Sequence, residues 1–164
     1  MNLDAKIVYL LLGSNLGERE VLIREAIDLI GLRVGKVKLE SSLYETAAWG
    51  KQDQPGFLNV ALAVETTQTA LEVLDGVLAI EKELGRVRFE KWGARLIDID
   101  VIFYENEIID MGEKLQIPHP DMHLRKFVLV PLAEIAPQTQ HPVLRKTITE
   151  ILESLSDDLA VLKV

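Results

Sequence analysis

Residues 88–104 read RFEKWGARLIDIDVIFY. Two arginines, a lysine and a tryptophan crowd the front, and behind them an apolar run carries Asp98 and Asp100 one residue apart. Leu96 to Tyr104 is rich in β-branched and aromatic residues, which reads as a strand. In a strand, residues i and i+2 point to the same side with alpha carbons roughly 6.5 to 7 Å apart. The two aspartates therefore share one face, while Ile97, Ile99 and Val101 point the other way, into the core.

Working outward, KIVYLLLG (6–13) is a short apolar run ended by glycine and reads as a buried strand. GSNLGERE turns into a helix whose Leu22, Ile23, Ala26, Ile27 and Ile30 recur at helical spacing, with Gly31 as its stop. VGKVKLESSLYET alternates, so that Val37, Leu39, Ser41 and Leu43 share a face. A polar loop, AAWGKQDQPG, leads to the strand FLNVALAVET. Thr69 and Glu72 form a capping box, and the helix behind it aligns Leu71, Leu74 and Leu78 up to a stop at Gly85. The basic segment that follows reads as a loop. Beyond the aspartate strand, ENE bends toward a small hairpin arm, a short helix covers Val128 to Ile135, and Thr147 with Glu150 opens a C-terminal helix. The order is β-α-β-β-α-β plus a C-terminal extension. That is the ferredoxin-like order: an α+β fold with an antiparallel sheet and helices on one face.

The chain has 164 residues, which suits one domain over 1–164. It contains no cysteine, which excludes thiol catalysis and cysteine zinc sites and fits a reducing cytoplasm. No signal peptide and no membrane span are expected. The net charge of −8 argues against nucleic-acid binding. Between Leu84 and Ile97, however, Arg86, Arg88, Lys91 and Arg95 face only Glu90. A concentrated basic segment in an acidic protein suits a small polyanion.

Asp98 and Asp100 alone read either as the solvated face of a half-buried strand or as a site for a hard cation such as Mg²⁺. The arginines beside them supply bidentate donors for phosphate oxygens, and the two sets together make a complementary polyphosphate kit. Trp92 reads as a lid anchor or as a core residue. GSNLG is not a P-loop, and no H-E-x-x-H zinc motif is present. His119, between two prolines, is aimed from a rigid loop or simply solvated. Glu81 shares a face with Leu71 and Leu78, where an acid needs a partner unless the helix end has left the core. Asn59 is disfavoured in a strand. With Phe57 two residues before it, it suits a flat, hydrogen-bonding heterocycle, or else marks an edge strand with the phenylalanine in the core.

YLLLGSNLG, SSLYETAAWGKQDQPGFLNVA, GRVRFEKWGARLIDIDVIFY and IPHPDMHLRKFVLVPLAEIAP occur in the order of the 6-hydroxymethyl-7,8-dihydropterin pyrophosphokinase family, which this chain resembles from about Val8 to Pro137. The resemblance implies transfer of pyrophosphate from ATP to a pterin alcohol, releasing AMP, in folate biosynthesis. It implies that Asp98 and Asp100 hold two Mg²⁺ ions. Arg86 and Arg95 then meet the ATP phosphates as a mobile loop closes. Arg88, Trp92, Val101, His119 and Arg125 fall at nucleotide-contacting positions. Thr46, Ala47 and Trp49 fall along the pterin edge, Asn59 is the amide that bonds the pterin, and Phe57 and Phe127 are the rings that sandwich it. Glu81 matches an acid of the family motif. Phe57 stands where tyrosine is common, Pro120 where tyrosine often follows His119, and Ala94 where proline is frequent. Leu78, Lys114 and Gln116 also depart from the pattern, near the ATP site. The partners implied are small molecules, with no nucleic acid and no membrane. A monomer suffices, and further assembly stays open. The rival reading is a ferredoxin-like module that binds a nucleotide or RNA without catalysis, but no exposed aromatic RNA-binding strand is present.

Overall fold

In a computed structural model of the protein, the residues described are 4–15, 17–46, 56–88, 96–156 and 159–164, the side chains of 86–88 apart. The expected strands and helices form: β1 (Lys6–Ser14), α1 (Arg19–Arg33), β2 (Lys36–Glu40), β3 (Tyr44–Thr46), β4 (Phe57–Thr66), α2 (Ala70–Arg88) and β5 (Asp98–Tyr104). A small arm of β6 (Ile109–Asp110) and β7 (Gln116–Ile117) follows, then α3 (Lys126–Ile135), α4 (Ile148–Ser154) and a terminal strand β8 (Val161–Lys163). The main sheet is ordered β5-β1-β4-β3-β8, with β2 also paired to β4. All its pairings are antiparallel, so the ferredoxin-like α+β order holds.

The helices do not lie on one face. β1 and β4 are apolar on both sides, and a sheet face of that kind must be covered. On one side Leu10, Leu12, Val60, Leu62 and Val101 pack under α1 and α2. On the other, Leu11, Ala61, Ile102 and Phe103 meet Val128, Leu129 and Leu132 of α3 and Ile148 and Ile151 of α4. The C-terminal extension is thus the second helical layer. β5 fits both layers because it bulges: Tyr9 faces Phe103 while Leu10 faces Val101. The extra residue lets Ile102 and Phe103 both enter the second layer.

Several boundaries differ from the sequence expectation. α1 runs past Gly31 to Arg33, and the tight contact belongs to Gly35, where a Cβ would stand 2.2 Å from the Glu65 carbonyl oxygen. α2 likewise runs past Gly85, so Arg86 and Arg88 lie on its last turn and not in a loop. A helical glycine costs about 1 kcal/mol against alanine but does not end a helix, and cations suit a helix C-terminus. The buried stripe of α2 is Val73, Val77, Ile80 and Leu84, while Leu78 is exposed. The stretch expected to alternate as one strand is broken. β2 bulges between Val37 and Leu39, which leaves Leu39 exposed. At the gap before β3 the Ser41 hydroxyl accepts the Ala61 N–H at 2.9 Å in place of a ladder partner. Both capping boxes form: Thr69 Oγ1 accepts the Glu72 N–H, and Thr147 Oγ1 accepts the Glu150 N–H, each at 3.1 Å.

Candidate active site

The second face of the sheet is not covered to its end. Beyond α3 it leaves a cavity of about 240 Å³, lined among others by Gly13, Thr46, Phe57, Asn59, Asp98, Asp100, Arg125 and Phe127. Strand periodicity builds this wall. Asp98 lies opposite Gly13 on β1, Gly13 lies opposite Asn59 on β4, and Asn59 lies opposite Tyr44 on β3. Asp100 is opposite Leu11, on the same face as Asp98. Both carboxylates are half-buried, while Ile99 and Val101 turn to the core between and beyond them.

Asn59 is on a central strand and 3% exposed, which rules out the edge-strand reading. Its amide lies across Gly13: a Cβ there would sit 2.6 Å from Asn59 Nδ2. Nδ2 reaches the Leu12 carbonyl at 3.5 Å, but Oδ1 is buried and has no hydrogen-bond partner among the described residues. The Thr46 hydroxyl is in the same state. An unmade hydrogen bond of this kind costs about 1–3 kcal/mol, so two of them in one cavity make a site prepared for a polar ligand. Phe57, 37% exposed, and Phe127 supply aromatic surface to the same space, and the phenylalanine is not a core residue.

At the other end, Arg125 stands at the N-terminus of α3, 5.7 Å from the Phe127 ring centroid and 3.5 Å from the Asp121 carboxylate. His119 is held to β5 by its main-chain N–H, which donates to the Ile102 carbonyl at 3.1 Å. Its Nδ1 accepts the Asp121 N–H at 3.2 Å. Burial lowers the His119 pKa below its ordinary value; Asp100 and Asp121 oppose that and Arg125 reinforces it. Val101 is 5% exposed with its side chain in the core. Its side chain is therefore not available to a ligand, and any contact it makes runs through its main chain on β5.

Glu81 is not an acid stranded in the core. It lies off the buried stripe of α2 and accepts the Ile99 N–H at 2.6 Å, tying the helix to the outer edge of β5. Leu78, one turn earlier, Lys114, Gln116 and Pro120 are exposed. Ala47, Trp49, Trp92, Ala94 and Arg95 lie outside the described residues, as do the side chains of Arg86 and Arg88.

Three lining residues were not expected: Leu11, Gly13 and Leu159. Gly13 carried a signal, a glycine closing an apolar strand. Leu159 carried none, because β8, which pairs Val161 with Thr46 and draws Leu159 to the cavity, has no periodic pattern of its own.

The family model described as 7,8-dihydro-6-hydroxymethylpterin-pyrophosphokinase matches residues 9–137. A Bacillus subtilis protein named 2-amino-4-hydroxy-6-hydroxymethyldihydropteridine pyrophosphokinase is 44% identical over 138 residues, covering 82% of this chain and 80% of that protein. A protein of the same name from Haemophilus influenzae is 41% identical, covering 91% of this chain and 92% of its own length. Among solved structures, a Plasmodium falciparum HPPK-DHPS chain with pteroate has a TM-score of 0.74 at 21% identity. It is matched over 91% of this chain and only 42% of that longer one, and the likeness shows the fold.

Proposed function

The chain belongs to the 7,8-dihydro-6-hydroxymethylpterin-pyrophosphokinase family, and we propose that the cavity on its second sheet face is where that chemistry takes place. The activity is transfer of pyrophosphate from ATP to the hydroxymethyl group of 6-hydroxymethyl-7,8-dihydropterin, with release of AMP, a step of folate biosynthesis. One observation carries the assignment of the site. A buried amide oxygen and a hydroxyl, both without partners among the described residues, share a single cavity with two phenylalanines and a carboxylate pair.

In this reading the pterin ring lies against Phe57 and Phe127, and Asn59 Oδ1 and Thr46 Oγ1 accept and exchange hydrogen bonds with its edge. Ala47 and Trp49 complete that edge. The hydroxymethyl group then points toward Asp98 and Asp100. Its oxygen attacks the β-phosphorus of ATP, the bond from the β-phosphorus to the α–β bridging oxygen breaks, and AMP leaves with that oxygen. The alcohol proton passes to solvent.

The carboxylate pair fits Mg²⁺. No cluster of three or more His, Cys, Asp or Glu that could hold a metal occurs among the described residues. Mg²⁺ ordinarily takes one or two carboxylates and fills its octahedron with water and phosphate oxygens. Bound on Asp98 and Asp100, two ions supply charge neutralisation at the triphosphate and a lowered pKa for the alcohol. Arg125 and His119 hold the nucleotide phosphates, and the Val101 main chain together with Arg88 and Trp92 holds the rest of the nucleotide. Arg86 and Arg95 stabilise the charge that develops on the leaving oxygens, so catalysis is positioning and electrostatics.

Residues 1–164 act as one domain in this reading, with small-molecule partners only and no need of a second subunit. No helix among the described residues is long and apolar enough to cross a membrane, and a chain without cysteine suits a reducing cytoplasm. Incubation with MgATP and hydroxymethyldihydropterin, followed by separation of nucleotides, tests the function: AMP is the expected product, and ADP alone overturns it.

A further inference from the structure

Arg19 is electrostatically misplaced for its own helix. It is the first residue of α1, where the helix dipole disfavours a cation, and the helix starts with no side-chain cap. The dipole of α1 therefore does not favour its charge. Its side chain instead leaves the helix and is only 25% exposed. One nitrogen, Nη1, donates to Glu45 Oε2 at 2.6 Å and to the Gly56 carbonyl oxygen, also at 2.6 Å.

Those two acceptors are neighbours of the cavity wall. Glu45 precedes Thr46 on β3, and Gly56 precedes Phe57 on β4; Thr46 and Phe57 are register partners and both line the cavity. The two strand ends are pressed together at this point. A Cβ on Gly56 would stand 2.4 Å from the Thr46 carbonyl oxygen, so only glycine permits the approach. The guanidinium thus bridges β3 and β4 where they leave the sheet, one residue from a hydroxyl without a partner among the described residues and one from an aromatic ring that lines the same cavity.

We propose that Arg19 is a positioning residue for pterin recognition: by holding Glu45 and the Gly56 carbonyl with a single nitrogen, it sets the spacing between the Thr46 hydroxyl and the Phe57 ring. This rests on the assignment of the cavity to the pterin. Arg19 does not itself line the cavity. Its effect is exerted on the ring-binding wall and not on the carboxylate end, because Asp98 and Asp100 hang from β5, on the far side of β1.

The test is steady-state kinetics in both substrates on Arg19→Ala and Glu45→Gln, with a thermal melt of each. For Arg19→Ala the KM for the pterin alcohol rises about tenfold, the worth of one charge-assisted hydrogen bond. The KM for ATP and the kcat at saturating pterin stay within about twofold of wild type. Glu45→Gln, which keeps an acceptor but not its charge, shifts the pterin KM in the same direction by less, and Arg19→Lys recovers part of the loss. A variant that melts lower yet keeps the wild-type pterin KM shows a merely structural role and overturns the proposal, as does an equal loss in kcat at unchanged pterin KM. Should Arg19→Ala not fold, the same split in Arg19→Lys and Glu45→Gln decides. Failure of the cavity assignment looks different: Asn59→Leu then leaves the pterin KM unchanged.

Discussion

The Glu81 carboxylate accepts the Ile99 N–H at 2.6 Å, at the one backbone position that lies between Asp98 and Asp100. α2 packs on the first face of the sheet and the aspartates stand on the second, so this bond holds their strand from behind. Among the described residues β5 is the outer strand of the sheet, and its outward amide has no strand to pair with. A bond from a buried N–H to a charged acceptor is worth about 1.5–3 kcal/mol. Glu81→Ala should lower unfolding stability by about that amount, read by urea denaturation. Loosening of the aspartates should also slow single-turnover AMP formation about tenfold or more. Glu81→Gln keeps an acceptor and should retain most of the rate. Equal damage by both variants would mean that the charge, not the tether, matters.

Asp98→Ala and Asp100→Ala test the proposed cation site directly. Each removes one of the two carboxylates that line the cavity. Loss of metal-assisted charge stabilisation, several kcal/mol, corresponds to a fall of about 10³-fold in single-turnover AMP formation. Folding should be little affected, because both side chains are only half-buried. Near-normal turnover in saturating Mg²⁺ would remove these residues from the metal site.

Asn59 and Thr46 make a prediction of opposite sign for stability and function. Each buries an oxygen that has no partner among the described residues. Asn59→Leu and Thr46→Val replace these groups with apolar shapes of similar size, so the folded protein should be no less stable and should gain up to about 1 kcal/mol. The pterin KM should nevertheless rise, by about 10²-fold for Asn59→Leu, since the ligand's own polar edge then goes unpaired. Gly13→Ala should mimic the Asn59 defect, because the new methyl would displace the amide that lies 2.6 Å from it. Melting temperature and pterin titration on the same preparations separate the two effects.

Local signals explain what could be read from the chain beforehand. The buried stripe Leu22, Ile23, Ala26, Ile27 and Ile30 was legible because it repeats at helical spacing. Asp98 and Asp100 were legible because strand alternation forces them onto one face. Thr147 and Glu150 form their reciprocal bonds three residues apart, within one turn. What depends on distant neighbours was not legible. Leu71, Leu74 and Leu78 look as helical as Val73, Val77 and Ile80, and only the packing of α2 on the sheet chooses the second set. Glu81 looked stranded until β5 supplied the Ile99 amide. Leu159 enters the cavity through strand pairing across more than a hundred residues, which no window of sequence contains.

His141 provides a pH handle away from the reaction. It is 5% exposed, its ring meets Phe103 edge-on at 5.9 Å, and its Nδ1 accepts the Val143 and Leu144 N–H groups at 3.2 and 3.0 Å. Burial lowers its pKa below the ordinary 6.5, and the charge of His123, whose ring lies 6.1 Å away, lowers it further. Through the window below 6.5 the unfolded chain therefore binds more protons than the folded one, and stability must decline as pH falls. Stability is fully present above pH 6.5 and is lost as pH drops toward the depressed folded value. Urea midpoints at pH 7.5 and 5.5, both above the carboxylate range, should show the decline. His141→Asn, whose side-chain oxygen can still accept the two N–H groups, should flatten it while costing some stability at pH 7.5. His119 is lowered as well and contributes a slope of the same sign, so the variant reduces the slope without abolishing it. A slope identical to wild type in His141→Asn would assign the whole effect to other groups.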